Sequence, residues 1–460
     1  MSAFTMALVY TQLGPGWDLI AHYLNGRSLA NPAFYHCLLV PSCNSYNQNP
    51  AFYFESYRAP IAGFTLAILY LIFQGSTAIE VYLAILFVAF ILAIRYMAEK
   101  FEVNELLAYA VLLSPVLLFI TSIPGSEEIV SLIFLFIALG LLAERSVWFG
   151  FFLGLATLGK YPTLALLPML LLLIKPMRIA QGAVLFGVAV LPWLLFSQVF
   201  LGGAFTSYLL SMQISHNNAG PFMLSLQAYA AIFMYPAMIG ALALVLARKK
   251  LRKIASAAKK IIPGRDLVAR LYKDKRSYIY ALLASFFVLS LATELYIGSF
   301  NDVFTQVRYA YLLMAAAGMF VIVAINDMRK FVKVNLPLAC AMLSIALFIT
   351  LVVYLELTTV LPQFAASNRI YDSAKAELGS LGLGNCRIVS NDWVLMLYRN
   401  VSAFSQFDQN VSSLSYPVVV FKNASAATDI YAVRNLGNAS VAYSSYFYDV
   451  LLPKNYMCYT

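Results

Sequence analysis

Long runs of apolar residues recur along most of the chain and are separated by short polar breaks. A helix needs about 20 apolar residues to cross a hydrocarbon core of about 30 Å. A shorter apolar run at 3–13 is either the stub of a first helix or a short helix sunk among others, and we count it as a helix. The pattern therefore predicts an all-α polytopic membrane protein with about eleven transmembrane helices, the stub followed by spans near 79–97, 105–122, 129–144, 147–160, 162–175, 180–200, 224–247, 277–298, 309–326 and 335–357.

The last hundred residues have a different pattern, which mixes polar residues, Gly, Asn and Tyr. Short runs typical of strands, at 387–389 and 416–421, alternate with helix-like stretches at 371–378 and 393–398. We therefore predict two domains, a transmembrane domain over 1–360 and a small α/β domain over 361–460.

Composition excludes a soluble protein, because 62% of the residues are hydrophobic and only 11% are charged. The net charge of +10 is concentrated in the segment 248–276, which holds twelve Lys and Arg against two Asp. The remainder of the chain is therefore neutral, which argues against nucleic-acid binding. We interpret 248–276 as a solvated cytoplasmic loop, with an amphipathic helix on anionic lipid as the alternative.

Lys and Arg in short loops remain on the cytoplasmic side of a membrane. Counted back from the basic loop, alternate breaks fall on that side. We predict that the apolar segment 58–75 does not cross and forms a juxtamembrane or re-entrant helix. The N-terminus is then inside, the C-terminal domain is extracytoplasmic, and residues 14–58 form the first outer loop. The breaks assigned to the cytoplasmic side contain Arg95, Lys100, Arg145, Lys175, Arg178, Arg329, Lys330 and Lys333.

Four N-glycosylation sequons and four of the five cysteines fall on the predicted outer side. The sequons indicate an archaeal or eukaryotic-type cell that glycosylates its surface proteins, with chance clustering in an Asn/Ser-rich stretch as the alternative. The cysteines fit two local disulfides outside the cell, with free thiols as the alternative. These residues are Asn400, Asn410, Asn423 and Asn438, and the pairs Cys37 with Cys43 and Cys386 with Cys458.

Ionisable residues converge on the predicted outer face, where scarce charges are functional candidates. Bland readings stand beside this one: Asp18, Glu127 and Glu128 lie where they could cap helices, Arg58 and Lys160 could anchor at the interface, and Arg308 could pair with Asp302. No metal-binding spacing, Walker loop or dinucleotide turn is present. The outer-face candidates are Asp18, His22, Glu55, Arg58, Glu127, Glu128, Lys160, Tyr161, Arg308 and Tyr309.

The ordered series of these motifs resembles the GT-C membrane glycosyltransferases, and within them the protein mannosyltransferases and aminoarabinose transferases of the glycosyltransferase family 39 type. The resemblance covers residues 14–326. It lies in Trp17-Asp18, Glu55-Ser56-Tyr57-Arg58-Ala59-Pro60, Leu113-Ser114-Pro115, Ser126-Glu127-Glu128, the stretch 154–162 and Arg308-Tyr309.

The resemblance implies that a sugar moves, with inversion, from a polyprenyl (dolichyl) phosphate to a hydroxyl acceptor, either protein or glycolipid, at the outer membrane face. Asp18 is then the general base, and Glu55, Glu127 and Glu128 orient the cations or the sugar hydroxyls. Arg308, then Lys160 and Arg58, bind the leaving phosphate, with His22, Tyr161 and Tyr309 in the substrate site. No cofactor is implied, and a divalent cation is the weaker alternative.

Two other functions compete with a cell-membrane glycosyltransferase. A lipid or solute transporter or flippase also has many spans and buried charges, although its site lies near the midplane between internal repeats. A non-catalytic membrane scaffold would use 361–460 as its working part, and would leave the outer charges without a purpose.

Overall fold

The structure is a computed structural model of the whole chain. It describes residues 17–38, 54–73, 76–113, 127–216, 240–241, 274–298, 310–329, 335–357, 360–384, 386, 388–390, 401–404, 417–421, 439–454, 456 and 458.

Helices account for most of the described residues, and five short strands follow them near the C-terminus. The α-helices are α1 (Trp17–Leu29), α2 (Pro32–Leu38), α3 (Pro60–Ile72), α4 (Ser76–Lys100), α5 (Glu105–Leu112), α6 (Glu127–Ala143), α7 (Phe149–Gly159), α8 (Pro176–Phe200), α9 (Thr206–His216), α10 (Lys275–Gly298), α11 (Tyr311–Met328), α12 (Leu336–Leu357) and α13 (Val360–Ser380). A 3₁₀ helix covers Tyr161–Leu173, and the strands are β1 (Ile388–Ser390), β2 (Val401–Phe404), β3 (Val418–Phe421), β4 (Ala439–Ser444) and β5 (Tyr448–Pro453).

Four of the described helices are long and apolar enough to cross a membrane: Thr77–Lys100 within α4, α8, Lys275–Tyr296 within α10, and α11. The coarse prediction, a mainly helical membrane protein with a small C-terminal sheet, is confirmed. The predicted spans 3–13 and 224–247 and the end of 105–122 lie wholly or mostly outside the described residues. The total of eleven spans therefore stays a prediction.

The predicted spans 147–160 and 162–175 form a hairpin in which the second arm is not an α-helix. Leu170 and Leu173, at the end of the 3₁₀ helix, and Gly150, at the start of α7, all approach Gly182 of α8. Pro168 lies inside the 3₁₀ helix and cannot donate a backbone hydrogen bond. A 3₁₀ helix rises about 2.0 Å per residue, so these thirteen residues cover about 26 Å. That conformation lets a short apolar run nearly cross a bilayer core.

The helices meet at two polar ends. At one end, Arg276 donates to Asp327 and to the carbonyl oxygens of Phe101 and Val323, while Lys100 pairs with Glu144 at 2.9 Å. This end, which we call the rim, comprises Lys100, Glu102, Glu144, Arg145, Arg178, Lys275, Arg276 and Asp327, joined by contacts among them and to neighbouring carbonyl groups. It gathers charges that the sequence assigned to the cytoplasmic side.

Helix α3 lies between the first helix and the bundle. Gly26 of α1 faces the backbone of α3 so closely that an added Cβ would lie 2.8 Å from the backbone nitrogen of Ala67. On the other side Phe64 meets the rings of Trp193 and Phe196 edge-on. Its remaining surface is apolar and exposed, at Ile68, Leu71 and Ile72. The prediction that this segment lies along the membrane surface stays a prediction.

The C-terminal part combines α13 with a five-stranded sheet in the order β2-β1-β3-β5-β4. Strands β2, β1 and β3 are parallel, and β5 pairs antiparallel with β3 and β4. A disulfide joins Cys386 to Cys458, and Cys340 is free and buried. The thiol groups of Cys37 and Cys43 and the asparagines of the four sequons lie outside the described part of the structure.

Candidate functional site

The end of the molecule opposite the rim brings together charged side chains from four separate parts of the chain. His22 comes from α1, Glu55 and Arg58 from the segment before α3, Glu127 and Glu128 from the first turn of α6, and Lys160 from the α7 hairpin turn. We call these six residues the charge cluster. All six were predicted as site residues from the sequence.

Glu127 is at the centre of the charge cluster. Its Oε1 contacts His22 Nε2 and lies 3.6 Å from Arg58 Nη1, while its Oε2 lies 3.7 Å from Lys160 Nζ. One carboxylate therefore bridges three segments that are far apart in the sequence. Its place at the helix start also puts it at the positive end of the α6 dipole.

The other two carboxylates each pair with one cation. Glu55 accepts from Arg58, and Glu128 accepts from Lys160. Asn25 of α1 fixes the Glu55 backbone in both directions, since Glu55 N donates to Asn25 Oδ1 at 2.8 Å and Asn25 Nδ2 donates to Glu55 O at 3.2 Å. The end of the predicted first outer loop is thus hydrogen-bonded to α1, which lies earlier in the same loop.

A group of hydroxyls lies below Lys160. The Lys160 ammonium is 5.6 Å from the ring centroid of Tyr311, within cation–π range. Thr163 Oγ1 lies 2.9 Å from Tyr311 OH and 2.7 Å from Ser131 Oγ. These hydroxyls fix the base of the cluster, and they join α6, the 3₁₀ helix and α11 there.

Tyr161 supports Arg58 from its backbone side. Its phenol donates to Arg58 O at 3.3 Å, accepts from Trp193 Nε1 at 3.1 Å, and lies 2.5 Å from Ser207 Oγ. Because the phenol has three partners, Tyr161 acts here by holding the turn. The sequence placed it in the substrate site, and nothing in the structure tests that role.

The charge cluster is dry: the exposed side-chain fraction is 0% for His22 and Glu55, 1% for Glu128, 8% for Lys160, 9% for Arg58 and 13% for Glu127. Glu127 precedes the predicted span 129–144 by two residues. Burial alone would raise the pKa of its carboxyl, but His22, Lys160 and Arg58 together hold that pKa below its ordinary value. Glu127 is therefore an anion in the folded protein.

Three further predicted site residues cannot be placed. Asp18 lies in α1, one turn before His22, but its side chain is outside the description, and Arg308 and Tyr309 precede the first described residue of their segment. Sequence reasoning missed Asn25, Ser131, Thr163, Trp193, Ser207 and Tyr311. A signal existed for two of them, because Ser131 and Thr163 each follow a predicted charged residue by three positions, which puts them on the same helix face.

Among the described residues, no three His, Cys, Asp or Glu side chains converge in a way that could hold a metal ion. Each carboxylate of the charge cluster instead contacts a cation or the His22 ring. Carboxylates and cations that are held together in a dry pocket can orient a polar substrate and stabilise charge that develops on it. Comparisons with protein families, with curated proteins and with solved structures found no match to this chain.

Proposed function

We propose that this chain is an integral membrane glycosyltransferase of the GT-C type. It would transfer a sugar, with inversion, from a polyprenyl phosphate to a hydroxyl acceptor at the membrane face that carries the charge cluster. The observation that supports the proposal is the cluster itself, a dry assembly of three carboxylates, two fixed cations and a histidine at one end of an apolar helical bundle.

The reaction demands such a site. As the bond from the anomeric carbon to the phosphate oxygen breaks, negative charge grows on the phosphate, and fixed cations in a low-dielectric site stabilise that charge. Arg58 and Lys160 are fixed in this sense, because Glu55 and Glu128 each contact one of them. The two carboxylates thus have the orienting role that the resemblance implies.

Charge balance assigns a further role to Arg308. Among the carboxylates and the Arg and Lys side chains of the charge cluster, the three carboxylates outnumber the two cations by one. A phosphate in this site needs positive charge beyond those two cations. Arg308, three residues before Tyr311 in the sequence, is the residue that we propose to supply it.

Position in the bundle favours a surface reaction over transport. Five of the six residues of the charge cluster lie at helix ends or in turns, before α3, at the start of α6 and between α7 and the 3₁₀ helix. Transport sites typically lie near the bilayer midplane. A substrate that is half lipid, with its head group at the surface and its tail among apolar helices, fits a site at the end of the bundle.

The test is sugar transfer by purified protein in lipid vesicles with labelled dolichyl-phosphate mannose and dolichyl-phosphate glucose, in the presence of added membrane acceptors. We expect label to leave at least one donor lipid and become attached to the acceptor fraction. Arg58→Gln should lower the rate by about 100-fold. Lys275→Gln, which removes a cation from the rim, is the matched control and should leave the rate unchanged.

Two results would reject the proposal. Failure of every lipid-phosphate sugar to donate would remove the donor class. Equal rates for the wild type and Arg58→Gln would leave the charge cluster without a catalytic role, as a scaffold requires.

A further inference from the structure

The imidazole of His22 is buried with one nitrogen occupied and the other unused. Nε2 contacts Glu127, whereas Nδ1 is buried and has no hydrogen-bond partner among the described residues. The whole residue is 0% exposed. Buried polar atoms in folded proteins nearly always have partners, so an orphaned one is a feature that a ligand can explain.

The contact with Glu127 determines which nitrogen carries the proton. An ionised carboxylate only accepts hydrogen bonds, so Nε2 must carry hydrogen and donate it to Glu127 Oε1. In the neutral ring Nδ1 then bears a free lone pair. This is the tautomer that a general base needs, because a carboxylate on one side of the ring stabilises the imidazolium that forms when the other side takes a proton.

We infer that His22 Nδ1 is the general base that accepts the proton of the attacking acceptor, on the strength of its burial, its lack of a partner in the described part of the chain and the Glu127 contact on the opposite side of the ring. This inference rests on the proposed function. It also names the acceptor class, a neutral hydroxyl group, since an acceptor that is already an anion has no proton to lose.

The step balances as a single displacement. The acceptor O–H bond breaks, its proton binds Nδ1, and the oxygen forms a bond to the anomeric carbon. The bond from that carbon to the phosphate oxygen breaks, and its electron pair leaves with the polyprenyl phosphate. His22 becomes an imidazolium next to the Glu127 anion and later releases the proton to water. Because His22 has no exposed surface, the acceptor reaches Nδ1 only when the side chains packed around the ring move apart.

The charged group that contacts His22 among the described residues is Glu127. Arg58 and Lys160 face His22 through Glu127, and Asp18 lies one turn earlier on the same helix. Helix α3, which packs along α1, contributes no charged residue. Asp18 is therefore the direct competitor for the role of base, and the experiment has to separate the two.

The decisive variant is His22→Gln, because a glutamine amide nitrogen can replace Nε2 against Glu127 but leaves nothing at the position of Nδ1. In the vesicle assay with labelled dolichyl-phosphate mannose and glucose, we expect kcat to fall by about 100-fold or more. The KM for the donor should stay within about threefold, because phosphate recognition does not use this residue. His36→Gln, the same substitution on α2, is the matched control and should transfer at the wild-type rate.

Chemical rescue covers the case in which His22→Gln does not fold. His22→Ala leaves a cavity of imidazole size, and added imidazole should restore about tenfold of the lost rate if the ring acts as a base. The same imidazole should not accelerate Asp18→Asn.

Outcomes separate the two claims. If His22→Gln transfers sugar at a rate near that of the wild type and Asp18→Asn does not, Asp18 is the general base. That result overturns the inference while the proposed function stands. The absence of imidazole rescue in a folded His22→Ala protein would overturn it as well. A wild-type protein that transfers sugar from neither donor would remove both the inference and the function on which it rests.

Discussion

The two polar ends of the bundle contain the same kinds of residues and differ in their access to water. In the charge cluster, Lys160 and Glu128 pair at 8% and 1% side-chain exposure, whereas in the rim Lys275 and Glu102 pair at 44% and 66%. An exposed pair gains little, because water already solvates both partners. A buried pair has lost that solvation, so each member depends on the other. Ion pairs therefore contribute little to stability at the rim, whereas in the charge cluster each member of a pair depends on its partner.

The ends also differ in what joins the helices. At the rim, side chains bind backbone carbonyls as well as one another. The neighbouring Tyr278 shares its hydroxyl hydrogen between Leu142 O at 3.0 Å and Leu172 O at 3.1 Å, and Arg178 donates to Arg145 O at 3.1 Å. In the charge cluster, side chains bind one another. Removal of one rim residue therefore leaves neutral carbonyls or a charge that is open to water, while removal of one cluster residue leaves a buried charge.

The largest expected effect in this comparison comes from Lys160→Met. The substitution keeps the length of the side chain but leaves the Glu128 carboxylate buried without its cation. We expect the free energy of unfolding to fall by about 3–5 kcal/mol, the usual consequence of breaking one side of a buried pair. Unfolding by denaturant in detergent micelles, followed by tryptophan fluorescence, measures it.

A double variant sharpens that result. Lys160→Met combined with Glu128→Leu removes both charges, and most of the lost stability should return. A double variant as unstable as the sum of the two single variants would show that the pair is not coupled, and the contrast with the rim would then fail.

The next largest effect is expected where α7 packs against α8 at the rim end of the bundle. Gly150 lies so close to α8 that an added Cβ would be 1.9 Å from the carbonyl oxygen of Gly182. Gly150→Ala must push α7 and α8 apart, and we expect a loss of about 1–3 kcal/mol in the same unfolding experiment.

Gly187 provides the matched control, because it lies in the same helix α8 and an added Cβ meets nothing within 4 Å. Gly187→Ala should leave stability unchanged or raise it by about 0.5–1 kcal/mol, since alanine loses less backbone entropy in a helix. Equal losses for both variants would mean that the close contact does not hold the rim end together.

The sequence predicted the ends of the bundle better than the packing between them. Apolar run length locates α4, α8, α10 and α11, because a long apolar helix has few alternatives in a membrane. The convergence of Glu55, Glu127 and Lys160 also followed from the sequence, since alternate polar breaks must lie on the same side. A charge count predicts which side of the membrane each polar break lies on, and this is enough to collect the candidate site residues.

The partners of those candidates could not be predicted. The choice of Glu127 as the shared carboxylate, with Glu128 reserved for Lys160, depends on how α6 is rotated toward the hairpin. That rotation is decided by long-range packing, such as the close contact of Gly159 with the backbone of Ser131. The 3₁₀ conformation of 161–173 was missed for a related reason, because apolar periodicity does not distinguish it from a short α-helix.

A smaller effect is expected at the partly covered centre of the rim. Arg276 donates to both oxygens of Asp327, at 2.5 Å and 3.0 Å, and to two backbone carbonyls. Lysine keeps the charge but lacks the planar array of donors, so Arg276→Lys should cost about 1 kcal/mol. Asp327→Asn, which keeps an acceptor, should cost no more. If the loss in the free energy of unfolding is as large as that of Lys160→Met, the Arg276–Asp327 pair behaves like a buried pair.

The smallest effect is expected at an exposed ion pair of the rim. Lys275 bonds Glu102 at 2.7 Å, closer than the 2.9 Å between Lys100 and Glu144, yet both side chains are exposed to water. If exposure decides the strength of a pair, Lys275→Ala should change the free energy of unfolding by no more than about 0.5 kcal/mol, and 1 M salt should abolish the difference. If distance decides it, the loss should approach that of Lys160→Met. The unfolding titration of these two variants at low and high salt therefore separates the two explanations for why one end of the bundle is dispensable and the other is not.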